Sequence, residues 1–105
     1  MTSPRPYRNE KIASVIEVEL ARMLARDFHV TGALVTVLGV TVDDDRLHAT
    51  VKLGIIPYER APEVFGELKK VRGSFEHRLL QKMNIRPFPH LSFALAQENE
   101  ADAAP

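Results

Sequence analysis

Cysteine is absent from the 105 residues, which removes disulfides, thiolate zinc sites, iron–sulfur clusters and cysteine nucleophiles together. Tryptophan is absent too. Two Tyr and five Phe make up the aromatic content, too little for a broad base-stacking platform. No apolar run approaches the roughly 18 residues that a membrane-spanning helix needs. The polar, proline-bearing start Met1–Tyr7 has no apolar core of a secretory signal. Net charge is also missing: Lys+Arg 14 balance Asp+Glu 14, so the total gives no sign of a nucleic-acid binder. A cytoplasmic protein without membrane attachment is expected.

What is present suits one domain. A hydrophobic fraction of 45% can fill a single core in a chain of this length. From about Pro6 to Phe28, Ile12, Val15, Ile16, Leu20, Met23, Leu24 and Phe28 recur every three or four residues, which predicts an amphipathic helix. Gly32 follows as a stop signal. Leu34–Val42 reads LVTVLGVTV, a β-branched run. Asp43-Asp44-Asp45 makes a turn. From Arg46 to Ile55, Leu47, Ala49, Val51, Leu53 and Ile55 alternate with Arg46, His48, Thr50 and Lys52. An antiparallel hairpin with one wet face is predicted.

Pro57 ends the hairpin, and Pro62 suits the first turn of a further helix. Val64, Phe65, Leu68 and Val71 repeat at helical spacing, Gly73-Ser74 interrupts, and Phe75, Leu79, Leu80 and Met83 resume. Residues 62–84 are thus one helix broken at Gly73 or two helices meeting there. Ser74 suits a cap for the second piece, with Glu76 in its first turn. Pro87 and Pro89 forbid helix beyond Arg86. Leu91, Phe93 and Leu95 alternate as a last strand, and Phe65, Phe75 and Phe93 are assigned to the core. The order is α-β-β-α-α-β, an α+β layer with helices on one face of a three-stranded sheet. Residues 1–5 read as a flexible start, 6–96 as the domain and 97–105 as an acidic disordered tail.

The neutral total conceals an uneven distribution. Residues 59–90 hold seven basic side chains (Arg60, Lys69, Lys70, Arg72, Arg78, Lys82 and Arg86) against four acids, whereas 91–105 hold three acids and no base. The plain reading of such a run is a solvated helix face. The sharper reading is a phosphate-binding surface. Gly73 lets backbone approach backbone, and a helix starting there offers free N–H groups to an anion among Lys69, Lys70 and Arg72.

Several pieces in this order resemble the ribosome-binding factor A family. They are RPYRNEKIASVIEVEL, VTVLGVTV, DDDRLHATVKL, VRGSF and IRPFPHLSF, the last matching an Arg–x–x–Pro–x–Leu–x–Phe pattern. The resemblance covers about residues 5–96. It implies a single-domain type II KH-like fold and a non-enzymatic factor; no cofactor or metal is expected from the residues themselves. Such a factor binds the immature small ribosomal subunit and assists maturation of the 5′ end of its ribosomal RNA. In some bacteria a GTPase helps release it. In KH domains a Gly-x-x-Gly loop clamps single-stranded backbone; this family has an Ala-x-Gly kink, whose place Val71-Arg72-Gly73 takes. Here Val71 replaces the alanine, Glu76 stands where the family has arginine, and Asp27-Phe28-His29 replaces Asp-Pro-Arg. The candidate RNA contacts are Lys69, Lys70, Arg72, Gly73, Ser74, His77, Arg78, Lys82 and Arg86. A weaker second set is Arg5, Arg8, Lys11, Arg46 and Lys52.

Other chemistries find little support. Asp43, Asp44 and Asp45 lack the bidentate Glu of a calcium loop, so a solvated turn is expected. His29, His48, His77 and His90 show no paired ligand spacing. Ser74 has no Gly-x-Ser-x-Gly elbow around it. The competing reading from another class is a protein-interaction or dimerisation module on the same fold. On the leading reading a monomer is expected.

Overall fold

The computed structural model describes residues 5–96, with side chains from residue 9 onward. Residues 1–4 of the expected flexible start, and the whole expected acidic tail at 97–105, lie outside the described residues. Helix α1 spans Arg5–Asp27, β1 Leu34–Val42, β2 His48–Ile56, α2 Ala61–Met83 and β3 His90–Leu95; a short 3-10 turn, Tyr58–Arg60, leads into α2. No helix among the described residues is long and apolar enough to cross a membrane.

The apolar stripe of α1 is buried as its spacing predicts: Ile12, Ile16, Leu20, Met23 and Leu24 all enter the core. The turn to β1 depends on Gly32. Its φ of +81° suits glycine, and a Cβ there would stand 2.7 Å from the Arg60 guanidinium. Arg60 uses the gap to donate to the Thr31 carbonyl at 2.8 Å.

β1 and β2 form the expected antiparallel hairpin, with a register shift between Val37 and Gly39 that leaves Leu38 outside the pairing. Ala49, Val51, Leu53 and Ile55 are buried, and His48, Thr50 and Lys52 face outward. Two residues depart from the predicted alternation. Leu47 is 49% exposed rather than part of the buried row, and Arg46 is not on the strand. Both belong to the turn. Arg46 adopts φ +62°, and the Asp45 side chain accepts the Leu47 N–H at 2.8 Å.

α2 is one unbroken helix through Gly73, so neither the break nor the second helix start exists. Glycine inside a helix costs about 1 kcal/mol relative to alanine. Burying one Leu or Phe side chain contributes about 1.5–3 kcal/mol. Val64, Leu68, Phe75 and Leu79 are buried from the same helix on both sides of Gly73, so packing outweighs the local preference. Ser74 is therefore mid-helix and exposed, not a cap. Pro62 lies in the first turn as predicted, and Asn84 closes the helix in the left-handed region, its N–H reaching the Leu80 carbonyl.

β3 lies parallel to β2, with Ala49 opposite Leu91 and Leu53 opposite Leu95. A parallel neighbour needs a crossover, which α2 supplies. The sheet order is β1-β2-β3, α+β and mixed. Ile16, Leu20, Val51, Leu53, Val64, Leu68, Leu79 and Leu91 are fully buried between helices and sheet. Phe75 is in this core; Phe65 and Phe93, also assigned there, are half-buried and pack at its rim. The other sheet face is open. On it Leu34 and Ile56 stand opposite each other, 62% and 66% exposed, and Leu38 lies over Gly54.

Candidate nucleic-acid interface

A continuous α2 changes how the predicted cations can act. Its backbone N–H groups at Gly73 belong to the helix ladder, so no helix start is available there for an anion. Contact must come from side chains and from the shape of the helix face. Gly66, Lys69, Lys70, Gly73 and His77 follow helical spacing and are all exposed. A Cβ at Gly66 or Gly73 would meet nothing within 4 Å, so this face is shallow and open. Gly66 carries no signal of its own in the sequence; its value lies in its spacing from Gly73, which only a continuous helix gives.

The nine principal candidates separate into three groups. Lys69 and Arg72 line a groove of about 290 Å³ with Phe65, Gly66 and Phe93, between α2 and β3. Neither side chain has an ion-pair partner among the described residues. Lys70, beside them, pairs with Glu67 one turn back at 3.2 Å. Gly73, Ser74 and His77 complete the exposed surface.

Arg78 and Lys82 turn the other way, onto α1. Arg78 donates to Asp27 at 2.6 Å and lies 5.5 Å from the centre of the Phe75 ring. Lys82 lies 3.2 Å from Glu19, which also holds Arg22 at 3.5 Å. The Arg78 hydrogen bond holds the Asp27 carboxyl below its ordinary value of 3.8, with the charges of Arg26 and Arg78 assisting. These two cations join helices and are already neutralised.

Arg86 forms the third group. It lies beyond α2 and shares a cleft with Arg46. About 17 Å of helix separates Arg72 from the end of α2, so Arg86 and Lys69 belong to different places. Of the weaker set, Lys11 lines a shallow apolar groove with Ile12, Val15, Lys82, Met83 and Ile85. Lys52 lies on the open sheet face. Arg5 and Arg8 sit in the first turns of α1, and their side chains lie outside the described set.

Two polar arrangements escaped the sequence. Glu76, which reads as an ordinary first-turn acid, accepts the Leu91 N–H at 2.8 Å and lies 3.4 Å from His90 Nδ1. His48, which has no sequence spacing to a partner, returns across the hairpin to within 4.0 Å of Asp43 and 3.9 Å of Asp45. The three ligand atoms lie within 4.8 Å of one another, all on exposed residues. They close the turn, in which the Asp43 carbonyl also accepts the Arg46 N–H and the Asn9 side-chain amide.

Comparison with known proteins gives one consistent result. The sequence model of the family described as ribosome-binding factor A matches residues 8–104. A ribosome-binding factor A from Flavobacterium johnsoniae is 34% identical over 91 residues, 82% of this chain and 70% of that protein. One from Thioalkalivibrio sulfidiphilus is 31% identical over 105 residues, 95% of this chain and 80% of that protein. Among solved structures, a homology model of the Thermus thermophilus ribosome binding factor A was fitted into a cryo-EM map of a 30S complex. It superposes with a TM-score of 0.56 at 23% identity, covering 86% of this chain and 96% of that one.

Proposed function

The chain belongs to the ribosome-binding factor A family, and from that premise we propose that it binds the immature small ribosomal subunit through ribosomal RNA. It assists maturation of the 5′ end of that RNA by holding an immature conformation, and it makes and breaks no bond. It works in the cytoplasm as a monomer on a KH-like scaffold, and a GTPase assists its departure. The observation that carries the site is the sorting of cations on α2. Arg78, Lys82 and Lys70 are paired with acids, whereas Lys69 and Arg72 are unpaired among the described residues, beside an open, glycine-bearing face. Lys69, Arg72, Gly73, Ser74 and His77 form the main contact, with Lys70 at its margin. Arg86 and Arg46 form a second contact, to which Lys11 and the α1 start at Arg5 and Arg8 add charge; Lys52 contributes from the open sheet face. Arg78 and Lys82 act by fixing α2 against α1.

Co-sedimentation with isolated small subunits, large subunits and joined ribosomes across a salt series tests this reading. Retention on free small subunits alone, falling steeply with salt as phosphate contacts release counterions, is expected. Lys69→Glu with Arg72→Glu should abolish it without loss of helical circular dichroism. Unchanged retention by the double variant would move the site away from α2.

One observation favours the second reading, a protein-interaction module. Leu34, Leu38 and Ile56 leave an apolar strip on the open sheet face. Self-association in sedimentation velocity, abolished by Ile56→Lys, together with no retention on any ribosomal particle, would favour it.

A further inference from the structure

Two sequence stretches take no part in the α2 groove: the acidic turn after β1 and the Arg–x–x–Pro run before β3. They lie far apart in the chain and meet in the fold. Asp44, Asp45 and Arg46 from one stretch, and Arg86, Pro87 and Pro89 from the other, line a single cleft of about 410 Å³. Ile12 and Ile85 complete its wall. That is the size of site that receives a small organic group.

Of the four charged residues that line it, Asp45 alone has its side chain engaged among the described residues. The Arg46 and Arg86 guanidiniums have no partner among the described residues. The three aspartates divide their duties. Asp45 accepts the Leu47 N–H, and Asp43 and Asp45 both face His48. Of the three, Asp44 alone has a carboxylate without a hydrogen bond or ion pair among the described residues, and it lines the cleft. Arg46 holds φ +62°, where glycine or asparagine is at ease and arginine is strained. The hairpin turn sets that choice: the Arg46 N–H donates to the Asp43 carbonyl and the Asp43 N–H to the His48 carbonyl, and the side chain so held lines the cleft.

We propose that this cleft receives one guanine nucleotide of a single-stranded RNA segment. The inference rests on the RNA-binding reading above and names the base that one part of the surface takes. Arg46 and Arg86 hold the phosphate, for which the guanidinium fork is suited. Ile12, Ile85 and the two prolines flank the base with apolar surface. Asp44 reads its edge. An ionised carboxylate only accepts hydrogen bonds, through two oxygens. Among the four bases, guanine alone sets two donors, N1–H and the N2 amino group, side by side on its pairing edge. Adenine and cytosine place an acceptor next to their amino group, and uracil offers one N–H between two acceptors.

Fluorescence anisotropy of the full chain with labelled oligouridylate strands tests the proposal, the strands carrying one central guanosine, one central adenosine or neither. The guanosine strand should bind about tenfold tighter than the others. Asp44→Asn should bring it down to their level, and Arg86→Ala should weaken all three together. Equal affinity for the three strands, or a guanosine preference that survives Asp44→Asn, would overturn the assignment. Competition by guanosine monophosphate as strong as by the strand would overturn the strand-borne ligand in favour of a free nucleotide. Small-subunit co-sedimentation of the unmodified chain separates the two levels. Retention on subunits without guanosine preference sinks the cleft alone, whereas absence of retention sinks the RNA-binding reading beneath it.

Discussion

The Glu76 carboxylate, in the middle of α2, accepts the backbone N–H of Leu91 at 2.8 Å. Leu91 is fully buried and is the second residue of β3. One side chain therefore fixes the strand that completes the sheet to the helix that crosses over it, and His90 Nδ1 lies 3.4 Å from the same oxygen. Replacing Glu76 with alanine removes the acceptor from a part-buried N–H. A loss of about 1.5–3 kcal/mol in urea unfolding is expected, the range for hydrogen bonds to charged groups. Glu76→Arg, which restores the residue type that the resemblance associates with this position, should cost at least as much. Wild-type stability in both variants would show that the bond contributes nothing.

Asp27 links stability to pH. Its folded-state pKa is lowered by Arg78, so the interaction is fully present above the ordinary carboxylate value of 3.8 and fades as pH falls through the lowered one. Asp27→Asn should be less stable than the parent at neutral pH. The gap should close in a titration series taken below pH 3.8. A gap of constant size down that series would rule out the carboxylate charge as its origin.

Gly73 gives a direct test of the continuous helix. A Cβ there meets nothing within 4 Å, so Gly73→Ala should stabilise the fold by about 0.8–1 kcal/mol through helix propensity alone. A kinked backbone at this point would reverse the sign. Thermal unfolding reads the difference, and subunit retention on the same protein reports whether the missing side chain matters for contact.

Arg46 separates stability from binding. Arg46→Gly relieves a left-handed arginine and should raise stability by about 1 kcal/mol. Retention on small subunits should nevertheless fall. A variant that is both stabler and fully retained would mean that the Arg46 side chain takes no part in binding.

Periodicity makes most of the fold legible. The α1 stripe, the hairpin and the alternation Ala49, Val51, Leu53, Ile55 are local signals, and the buried residues follow them. Local evidence fails where distant packing opposes it. Gly73-Ser74 has the composition of a break, but burial of Leu68 and Phe75 on either side carries the helix through. The candidate surface is readable in sequence as a basic segment and not as a sorted one. Arg72 and Arg78 look alike there, yet Arg78 meets an acid 51 positions away, and nothing nearby announces that. Glu76 reads in sequence as a lost cation, and its bond to Leu91 depends on β3 lying beside α2.

The parallel pairing of β2 with β3 sets an order of events during synthesis. A nascent chain that has released α1, the hairpin and α2 still has one edge of β2 unpaired. The place of Leu91 in the core stays unfilled until residues 90–95 have cleared the exit tunnel. Closure of the domain therefore waits on the last of its six elements, so the groove of Lys69 and Arg72, which Phe93 lines, takes its final form only after β3 has docked.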